Sequence, residues 1–258
     1  TLLKASESTL VQRMRAIDFS LDENTMYIAN DNNASGTMGF GTMTKNGDKY
    51  ENLTSLWDQG GIPTVKVHPE TGAVFIGYHS GSWIYQYDGT NFIPKFQLPD
   101  AAGAAASKGN INAIAFDKPG TTAYIVSRKN HVIYKASYDM ATGEFSDVKL
   151  LAGSFGVTGY ADGTGTSAQF NEPSQGDVDE EGNFYVADRG NHCIRVITPD
   201  GEVSTYAGQN KAGMVDGIAS LAEFNNPEGC QFGPDGALYV ADYSNHAIRK
   251  VEDGPAQP

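Results

Sequence analysis

The sequence is poor in several features that would place a protein in a simple class. Only two of its 258 residues are cysteines, too few for a disulfide framework, so packing must hold the fold together. Cys193 and Cys230 could form one bridge or remain buried thiols. No apolar run reaches the length of about 18 residues that a bilayer-spanning helix needs. Basic residues are scarce: 18 Lys and Arg against 31 Asp and Glu give a net charge of −13, which argues against nucleic acid and anionic membranes as partners.

Recognisable catalytic motifs are missing as well. No G-x-S-x-G elbow, P-loop or H-E-x-x-H pattern occurs, so nucleophilic, phosphoryl-transfer and zinc-peptidase chemistry lack support. No amphipathic helical pattern of useful length occurs either. Glycine (30) and proline (11) are abundant, and 40% of the residues are apolar. This composition is typical of a packed fold with many turns.

Five segments share one pattern, a short apolar strand followed by a turn and an aromatic residue with Ile or Val. Each unit continues with a third strand such as "WIYQY" or "CIRVI", and most have a fourth such as "EVSTYAG". The aromatic residues that open the second strands are spaced by 48, 49, 61 and 54 residues. A period near 50 residues, built of strands and turns, predicts an all-β propeller with four-stranded blades. The aromatic residues are Tyr27, Phe75, Tyr124, Tyr185 and Tyr239.

The last two units carry the most specific motifs. The stretches "NEPSQGDVDEEGNFYVADRGNHCIRVITPDGEVSTYAG" and "NNPEGCQFGPDGALYVADYSNHAIRK" resemble NHL repeats. The order of the whole chain resembles the NHL propeller of TIG-containing surface proteins from Gram-negative gut bacteria. This resemblance implies six blades, an upstream TIG domain and an extracytoplasmic location, at the cell surface or in the periplasm. It also allows a lipid anchor through a segment that is not among these residues.

Only five first strands are visible, which leaves the blade number open. The segment from Thr1 could complete the last blade of a five-bladed ring, or a first blade could lie upstream; the resemblance favours the upstream blade. With a blade upstream, these residues would form an open arc of five blades, which would expose an apolar blade face that needs a cover. We place the propeller at residues 1–252, with blades at 11–57, 58–100, 108–153, 170–208 and 224–252, an outer strand at 1–10 and a tail at 253–258.

One polar set recurs in the last two units and contains residue types found in catalytic and metal sites. Repetition once per blade is typical of scaffold, and equivalent points on neighbouring blades lie about 12 Å or more apart, too far to share one metal ion. We expect the Asp and Asn side chains to bond the turn backbone and take its left-handed positions, and the His and Arg side chains to tie strands together. The set is Asp188, Asn191, His192 and Arg195, repeated as Asp242, Asn245, His246 and Arg249, with His131 in the third unit.

The loops "GYADGTGTSAQFNEP" and "GMVDGIASLAEFNNP" precede the last two units. Their Asp162 and Asp216 could bind calcium, but neither loop has the alternating carboxylates of a full oxygen cage. A turn followed by one helical turn, which places Phe170 or Phe224 between blades, is the favoured interpretation.

Function is expected at polar positions that differ between blades and lie near the axis, because only there can several blades contact one ligand. The first strands supply such positions and predict a funnel of mixed charge. Asp18 and Lys66 could instead pair across neighbouring blades and leave a solvated channel. The funnel candidates are Arg15, Asp18, Lys66, Asn112, Gln175, Asp177, Glu228 and Gln231.

The second unit differs from the others in its aromatic residues. Stacked rings could form a platform for a sugar, whose apolar C–H face packs on an aromatic ring. Because three of the rings alternate along one strand, packing against the next blade is the favoured alternative. The patch comprises Tyr78, Trp83, Tyr85 and Tyr87.

These observations support two hypotheses of function. The first is a noncatalytic binding or assembly module at the bacterial cell surface, which contacts a glycan or a protein through the propeller face and needs no cofactor. The second is a calcium-dependent hydrolase or lactonase in the central funnel, like some six-bladed enzymes, with calcium held by Asn112 and by carboxylates among Asp18, Asp177 and Glu228. The resemblance and the missing catalytic motifs favour the first.

Overall fold

The computed structural model describes residues 14–31, 38–57, 61–78, 82–100 and 111–252. All regular structure in these residues is β-strand, apart from single 3-10 turns, and no helix there is long and apolar enough to cross a bilayer. The outer strand predicted at residues 1–10 and the tail at 253–258 lie outside the described residues. The chain divides into two compact units, residues 1–114 with 140–145 and residues 115–139 with 146–258.

The first unit contains two antiparallel four-stranded sheets, each with its strands in chain order. Buried apolar side chains, including Phe40 from the first sheet and Ile76 from the second, form a core cluster that joins the two sheets. The strands are β1 (Met14–Phe19), β2 (Thr25–Asn30), β3 (Phe40–Asn46), β4 (Lys49–Trp57), β5 (Thr64–Val67), β6 (Val74–Gly77), β7 (Trp83–Tyr87) and β8 (Phe92–Gln97).

The third sheet repeats this order. Its two inner strands are antiparallel and pair over six residues, with Tyr124 opposite Lys135. The strands are β9 (Ile111–Phe116), β10 (Thr122–Ser127), β11 (Val132–Asp139) and β12 (Glu144–Ala152).

The second unit contains the fourth and last sheets, and they differ in strand number. The fourth sheet has the four expected strands and one extra two-residue strand beside the outermost one; the last sheet has only three. The predicted all-β propeller with five visible repeats is confirmed. The strands are β13 (Gly163–Thr164), β14 (Pro173–Val178), β15 (Phe184–Asp188), β16 (Cys193–Ile197), β17 (Glu202–Ala207), β18 (Pro227–Phe232), β19 (Leu238–Asp242) and β20 (Ala247–Val251).

Aspartates and glycines make the turns between first and second strands. Asp179 accepts backbone N–H bonds from Glu181 (3.0 Å) and Asn183 (2.8 Å), and Gly182 takes the positive φ of 85° that a side chain would disfavour. Asp22 and Asp117 accept backbone hydrogen bonds in the corresponding turns of other blades. The aspartate side chains therefore stabilise these turns by capping backbone N–H groups.

One core cluster of the second unit lies between the fourth and last sheets. Ala187 and Ile194 of the fourth sheet share one buried cluster with Leu238 and Val240 of the last sheet, and the Phe224 ring completes it. The Phe170 ring is also fully buried. Each of these loops contains a 3-10 turn, at Gly165–Ser167 and Ala219–Leu221, and the favoured interpretation, a ring placed between blades, is confirmed for Phe224.

Three of the first strands, β1, β14 and β18, begin with a bulge. One extra residue interrupts the pairing at Arg15 in β1, at residues 174–175 in β14 and at Glu228 in β18. A bulge bends the strand and redirects the side chain at that point. These three sites are the same position of the repeat.

Both cysteines are buried free thiols. Burial raises the pKa of Cys193 and of Cys230 well above the ordinary value, so neither is a reactive thiolate. The Cys230 Sγ donates a hydrogen bond to the carbonyl of Tyr185 at 3.5 Å. The two thiols therefore contribute through packing.

Candidate functional site

The Asp, Asn and Arg side chains of the repeated set are hydrogen-bonded to one another and to the loop that precedes their blade. In the fourth blade the Asp188 carboxylate accepts bonds from the backbone N–H of Asn171 (2.8 Å), Asn191 Nδ2 (2.8 Å) and Arg195 Nη1 (3.0 Å). Burial raises the pKa of Asp188 to about 6, although these hydrogen bonds and the Arg195 charge favour the carboxylate. The guanidinium also donates to the Ala161 carbonyl at 3.0 Å.

The last blade repeats this network almost atom for atom. Asp242 accepts bonds from the backbone of Asn225 (2.7 Å), Asn245 Nδ2 (2.8 Å) and Arg249 Nη1 (3.1 Å), and Arg249 donates to the Val215 carbonyl at 3.0 Å. Asp162 and Asp216, the two loop carboxylates, are ion-paired with Arg195 and Arg249. A set so fully bonded internally is scaffold.

The histidines of this set correct one detail of the sequence interpretation. The left-handed residue of each turn is the histidine, not the Asp or Asn: φ is 57° at His131, 55° at His192 and 53° at His246. His131 Nδ1 accepts the backbone N–H of Glu172 (3.0 Å), and His192 Nδ1 accepts that of Asn226 (3.1 Å). Burial lowers the pKa of His131 and His192. The His131 and His192 rings therefore each tie their own blade to the segment that begins the next blade.

The charged funnel candidates of the first unit each have an ion-pair partner. Asp18 Oδ2 accepts the Val67 N–H at 2.8 Å, and Lys66 Nζ lies 3.6 Å from the same oxygen. Asp18 and Lys66 thus pair across neighbouring blades, which is the alternative to a ligand-binding role that the sequence left open for them. Arg15 Nε lies 3.3 Å from Asp31 Oδ2. Asn112 is buried in β9.

The second unit repeats the aspartate contact. Asp177 Oδ2 accepts the Phe232 N–H at 3.0 Å, as Asp18 accepts that of Val67. Gln175 lies against Gly229, where an added Cβ would be 3.0 Å from the Gln175 Cβ. Gln231 is exposed on β18. Asp177 therefore fastens one first strand to the next.

Glu228 belongs to a group of four charged side chains that we call the rim cluster: Arg128, Glu172, Arg189 and Glu228. Glu228 is bonded by Arg128 Nη1 (2.8 Å) and Arg189 Nε (2.9 Å), and Glu172 by Arg128 Nη2 (3.2 Å) and Arg189 Nη1 (3.1 Å). Although burial opposes the effect, the Arg128 and Arg189 charges lower the pKa of Glu172. Each arginine bridges both carboxylates, and the Glu172 side chain is the most exposed of the four, at 43%.

The rim cluster occupies positions that vary around the repeat. Arg128 and Arg189 directly follow the second strands β10 and β15, and the same position holds Tyr243, 58% exposed, in the last blade. In the first blade, Asp31 stands in the position of Arg128 and Arg189, and Arg15 stands in the position of Glu228. The ion pair therefore recurs there with its charges reversed. Sequence reasoning selected Glu228 but missed the other three members. The residue that directly follows the second strand differs from unit to unit, and this variation was the signal that could have indicated Arg128 and Arg189.

The aromatic patch packs against the preceding sheet, not the following one. Tyr85 lies 6.1 Å from Trp57 and Tyr87 lies 5.4 Å from Phe40, measured between ring centroids. All of these rings are at least partly buried, and Tyr78, Tyr85 and Tyr87 pack against the core cluster of the first unit. The Trp83 ring extends this stack, 6.2 Å from Tyr85.

The described residues contain no group of three or more His, Cys, Asp or Glu side chains arranged to hold a metal ion. The carboxylates considered for calcium are each engaged: Asp18 and Asp177 by backbone N–H groups, Glu228 by two arginines. These residues do not fit a calcium centre.

Comparison with known proteins identifies a family whose repeat includes the Asp-Asn-His-Arg set of the fourth blade. The family model described as NHL repeat matches residues 170–197, which contain Asp188, His192 and Arg195. NHL repeat-containing protein 2 from Bos taurus is 37% identical over 81 residues, which are 31% of this chain and 11% of that protein. The chain carries NHL repeats.

Two solved structures extend the likeness over nearly the whole NHL propeller. An auxiliary nutrient binding protein from Bacteroides thetaiotaomicron VPI-5482 superposes with a TM-score of 0.85 and 28% identity, covering 98% of this chain and 60% of that one. An auxiliary nutrient binding protein from Bacteroides ovatus ATCC 8483 gives 0.80 and 28%, covering 94% and 59%. The NHL propeller thus spans about 60% of these proteins' length.

Proposed function

We propose that this NHL propeller is a noncatalytic binding module that takes up a glycan at the rim cluster. The observation that carries the proposal is the cluster itself: two arginines and two carboxylates, partly exposed, at repeat positions that differ from blade to blade. The four side chains already hold one another in place through their ion pairs, so little side-chain entropy is lost when a ligand binds. The nutrient-binding proteins of similar structure support a ligand-binding role.

The chemistry of the rim cluster suits a polyol. Guanidinium groups donate to sugar hydroxyls and carboxylates accept from them, so neighbouring hydroxyls can bridge Arg189 and the exposed oxygen of Glu172. Tyr243, in the equivalent position of the last blade, offers an exposed ring on which a sugar face can stack. The cluster has no net charge, which favours a neutral ligand over an anion.

The proposed binding module is noncatalytic. The calcium-dependent hydrolase considered from the sequence needs free carboxylates, and Asp18, Asp177 and Glu228 are bonded to other groups. We also propose an extracytoplasmic location, at the bacterial cell surface or in the periplasm, with a TIG domain upstream in the full-length protein. The nutrient-binding relatives support that location, and cell fractionation with an antibody against this chain tests it.

The binding proposal is tested on the purified chain with an array of neutral oligosaccharides, followed by calorimetric titration of the best ligand. Arg189→Gln removes one donor that bridges both carboxylates, and we expect at least a tenfold loss of affinity, because hydrogen bonds to charged groups contribute about 1.5–3 kcal/mol. Lys118→Gln is the matched control, since it removes a positive charge from an exposed ion pair with Glu180. Unchanged binding by Arg189→Gln, or no glycan bound, would contradict the proposal; binding of a protein instead would favour the other ligand class.

A further inference from the structure

Glu172 of the rim cluster has an uncommon backbone conformation. Its φ is 51°, in the left-handed region, where Asn, Asp and His occur more often than other residues with side chains. The equivalent residue of the last blade, 54 positions later, is Asn226, and its φ is also 51°. Such a conformation persists only where the surrounding structure holds it, and it is typical of functional sites.

The side chains at this position act differently in the two blades. Asn226 Nδ2 stays near its own backbone and donates to Asn225 Oδ1 and Ser244 Oγ, both at 3.1 Å. Gly190 stands in the place of Ser244 in the fourth blade and offers no hydroxyl. The residue at this position of the fourth blade, Glu172, therefore lacks that local partner.

The Glu172 carboxylate reaches the rim arginines instead and uses only one of its oxygens. Oε2 accepts both Arg128 Nη2 and Arg189 Nη1. Within the described part of the chain, no group donates a hydrogen bond to Oε1. This oxygen can accept a hydrogen bond from a ligand hydroxyl, provided that the backbone keeps the carboxylate in place.

His131 provides that hold. Its Nδ1 accepts the Glu172 N–H at 3.0 Å, so the neutral ring carries its proton on Nε2. Nε2 lies 3.1 Å from Thr158 Oγ1, to which it donates. Both ring nitrogens are therefore bonded, and the ring is held in one tautomer.

Protonation of the His131 ring would remove the hold, because a proton on Nδ1 would face the Glu172 N–H and leave it without an acceptor. Burial lowers the pKa of His131, although the Glu172 charge favours the protonated ring. Arg128 begins the turn that His131 ends and accepts its backbone N–H at 3.2 Å, while its guanidinium binds the carboxylates. The ring is thus neutral at pH 7.5 and takes up a proton below about 6.5.

We infer that His131 is a positioning residue of the rim cluster: its neutral ring holds the Glu172 backbone so that the carboxylate can receive a ligand hydroxyl. The inference rests on the proposed glycan-binding function and adds that glycan affinity falls when the ring is protonated. Without the hold, the backbone at Glu172 leaves the left-handed region and the carboxylate moves away from Arg128 and Arg189.

His131→Gly tests this role, because it removes the ring and tolerates the left-handed backbone. Calorimetric titration with the neutral oligosaccharide that the array selects should show an affinity about three- to tenfold lower than that of the wild type at pH 7.5, the value of one hydrogen bond. The ratio of the two affinities should fall towards one as the pH is lowered to 5. Asp188, with a pKa raised to about 6, titrates in both proteins, so its effect cancels in the ratio.

His192→Gly is the matched control. Each histidine ends a turn that begins with a rim arginine, Arg128 or Arg189, so both variants loosen such a turn. His192 Nδ1, however, bonds Asn226, which is not in the rim cluster. The affinity of this variant should stay within about twofold of the wild-type value at both pH values.

An NMR titration of the unliganded 258-residue chain needs neither a variant nor a glycan. The Glu172 amide signal should shift with the same midpoint as the His131 ring, and the Asn226 amide signal with that of the His192 ring. A Glu172 amide that did not follow the His131 ring would overturn the inference even if neither variant folds.

The affinity measurements separate this inference from the proposed function. If no oligosaccharide binds the wild-type chain at pH 7.5, the proposed function is wrong, and the role of His131 in binding is wrong with it. Wild-type binding with equal losses for the two variants would overturn the inference about His131 alone. So would a ratio between wild type and His131→Gly that does not change with pH.

Discussion

The fourth and last blades are built from the same 54-residue repeat, yet they differ in what covers them. Ile194 in the fourth blade is fully buried against the last blade, whereas its counterpart Ile248 is 71% exposed. Arg195 is fully buried, whereas the Arg249 side chain keeps 12% of its exposure. The same residue type therefore carries a different energetic weight in each blade, because burial, not identity, sets the cost of losing a contact.

The buried ion pair should show the largest difference between the blades. Arg195→Met leaves the Asp188 carboxylate buried without its counterion, and we expect a loss of about 3–5 kcal/mol in the free energy of unfolding. The guanidinium also lies over the Tyr160 and Phe170 rings, 5.1 and 5.3 Å from their centroids.

Arg249→Met is the matched change and should cost only about 1–3 kcal/mol, because water reaches that side chain. Urea unfolding followed by tyrosine and tryptophan fluorescence measures both. Equal losses would mean that the last blade is as well covered as the fourth, against the exposure described above.

Apolar side chains at equivalent positions of the two blades should give the next largest difference in the free energy of unfolding. Ile194→Ala opens a cavity in the cluster between the two blades, and about 2–5 kcal/mol should be lost. Ile248→Ala removes an exposed side chain and should change stability by no more than about 0.5 kcal/mol. The same urea-unfolding measurement tests both variants. A large loss at Ile248 would indicate that a further sheet covers the last blade, which would bear directly on the blade number.

The sequence predicted the parts of the fold that repeat. Third strands such as Cys193–Ile197 and Ala247–Val251 have the expected limits, because apolar periodicity and turn residues specify them locally. The short strand β13 was not predicted, since two residues carry no periodicity.

The rim cluster was harder to predict because it depends on contacts between blades. Arg128 and Glu228 are 100 residues apart, and nothing local indicates that they meet. Asp177 was selected as a polar residue near the axis, but its carboxylate accepts a backbone hydrogen bond from the next first strand. A propeller strand offers backbone donors to its neighbour, so a polar residue in such a strand can serve as a tie between blades.

The smallest effect concerns the left-handed histidines and depends on pH. His192→Asn keeps a residue that tolerates positive φ but removes the Nδ1 acceptor for Asn226, and should cost about 1 kcal/mol at pH 7.5. Because burial lowers the pKa of His192, the unfolded chain binds a proton on this ring more readily than the folded chain does. The stability that His192 contributes is therefore lost as pH falls below about 6.5, and wild type and variant should converge at pH 5.

His246→Asn is the control for that prediction, because it changes the same residue at the same backbone angle in the last of the described blades. The His246 ring has no hydrogen bond within the described part of the chain, so its replacement should shift stability by no more than about 0.5 kcal/mol at either pH. Asp188 titrates in a similar range with the opposite sign, since its pKa is raised, but it is present in all three proteins and cancels in the differences. If His246→Asn reproduced the pH dependence of His192→Asn, the ring would be acting through its own turn, and the tie between blades would have no energetic weight.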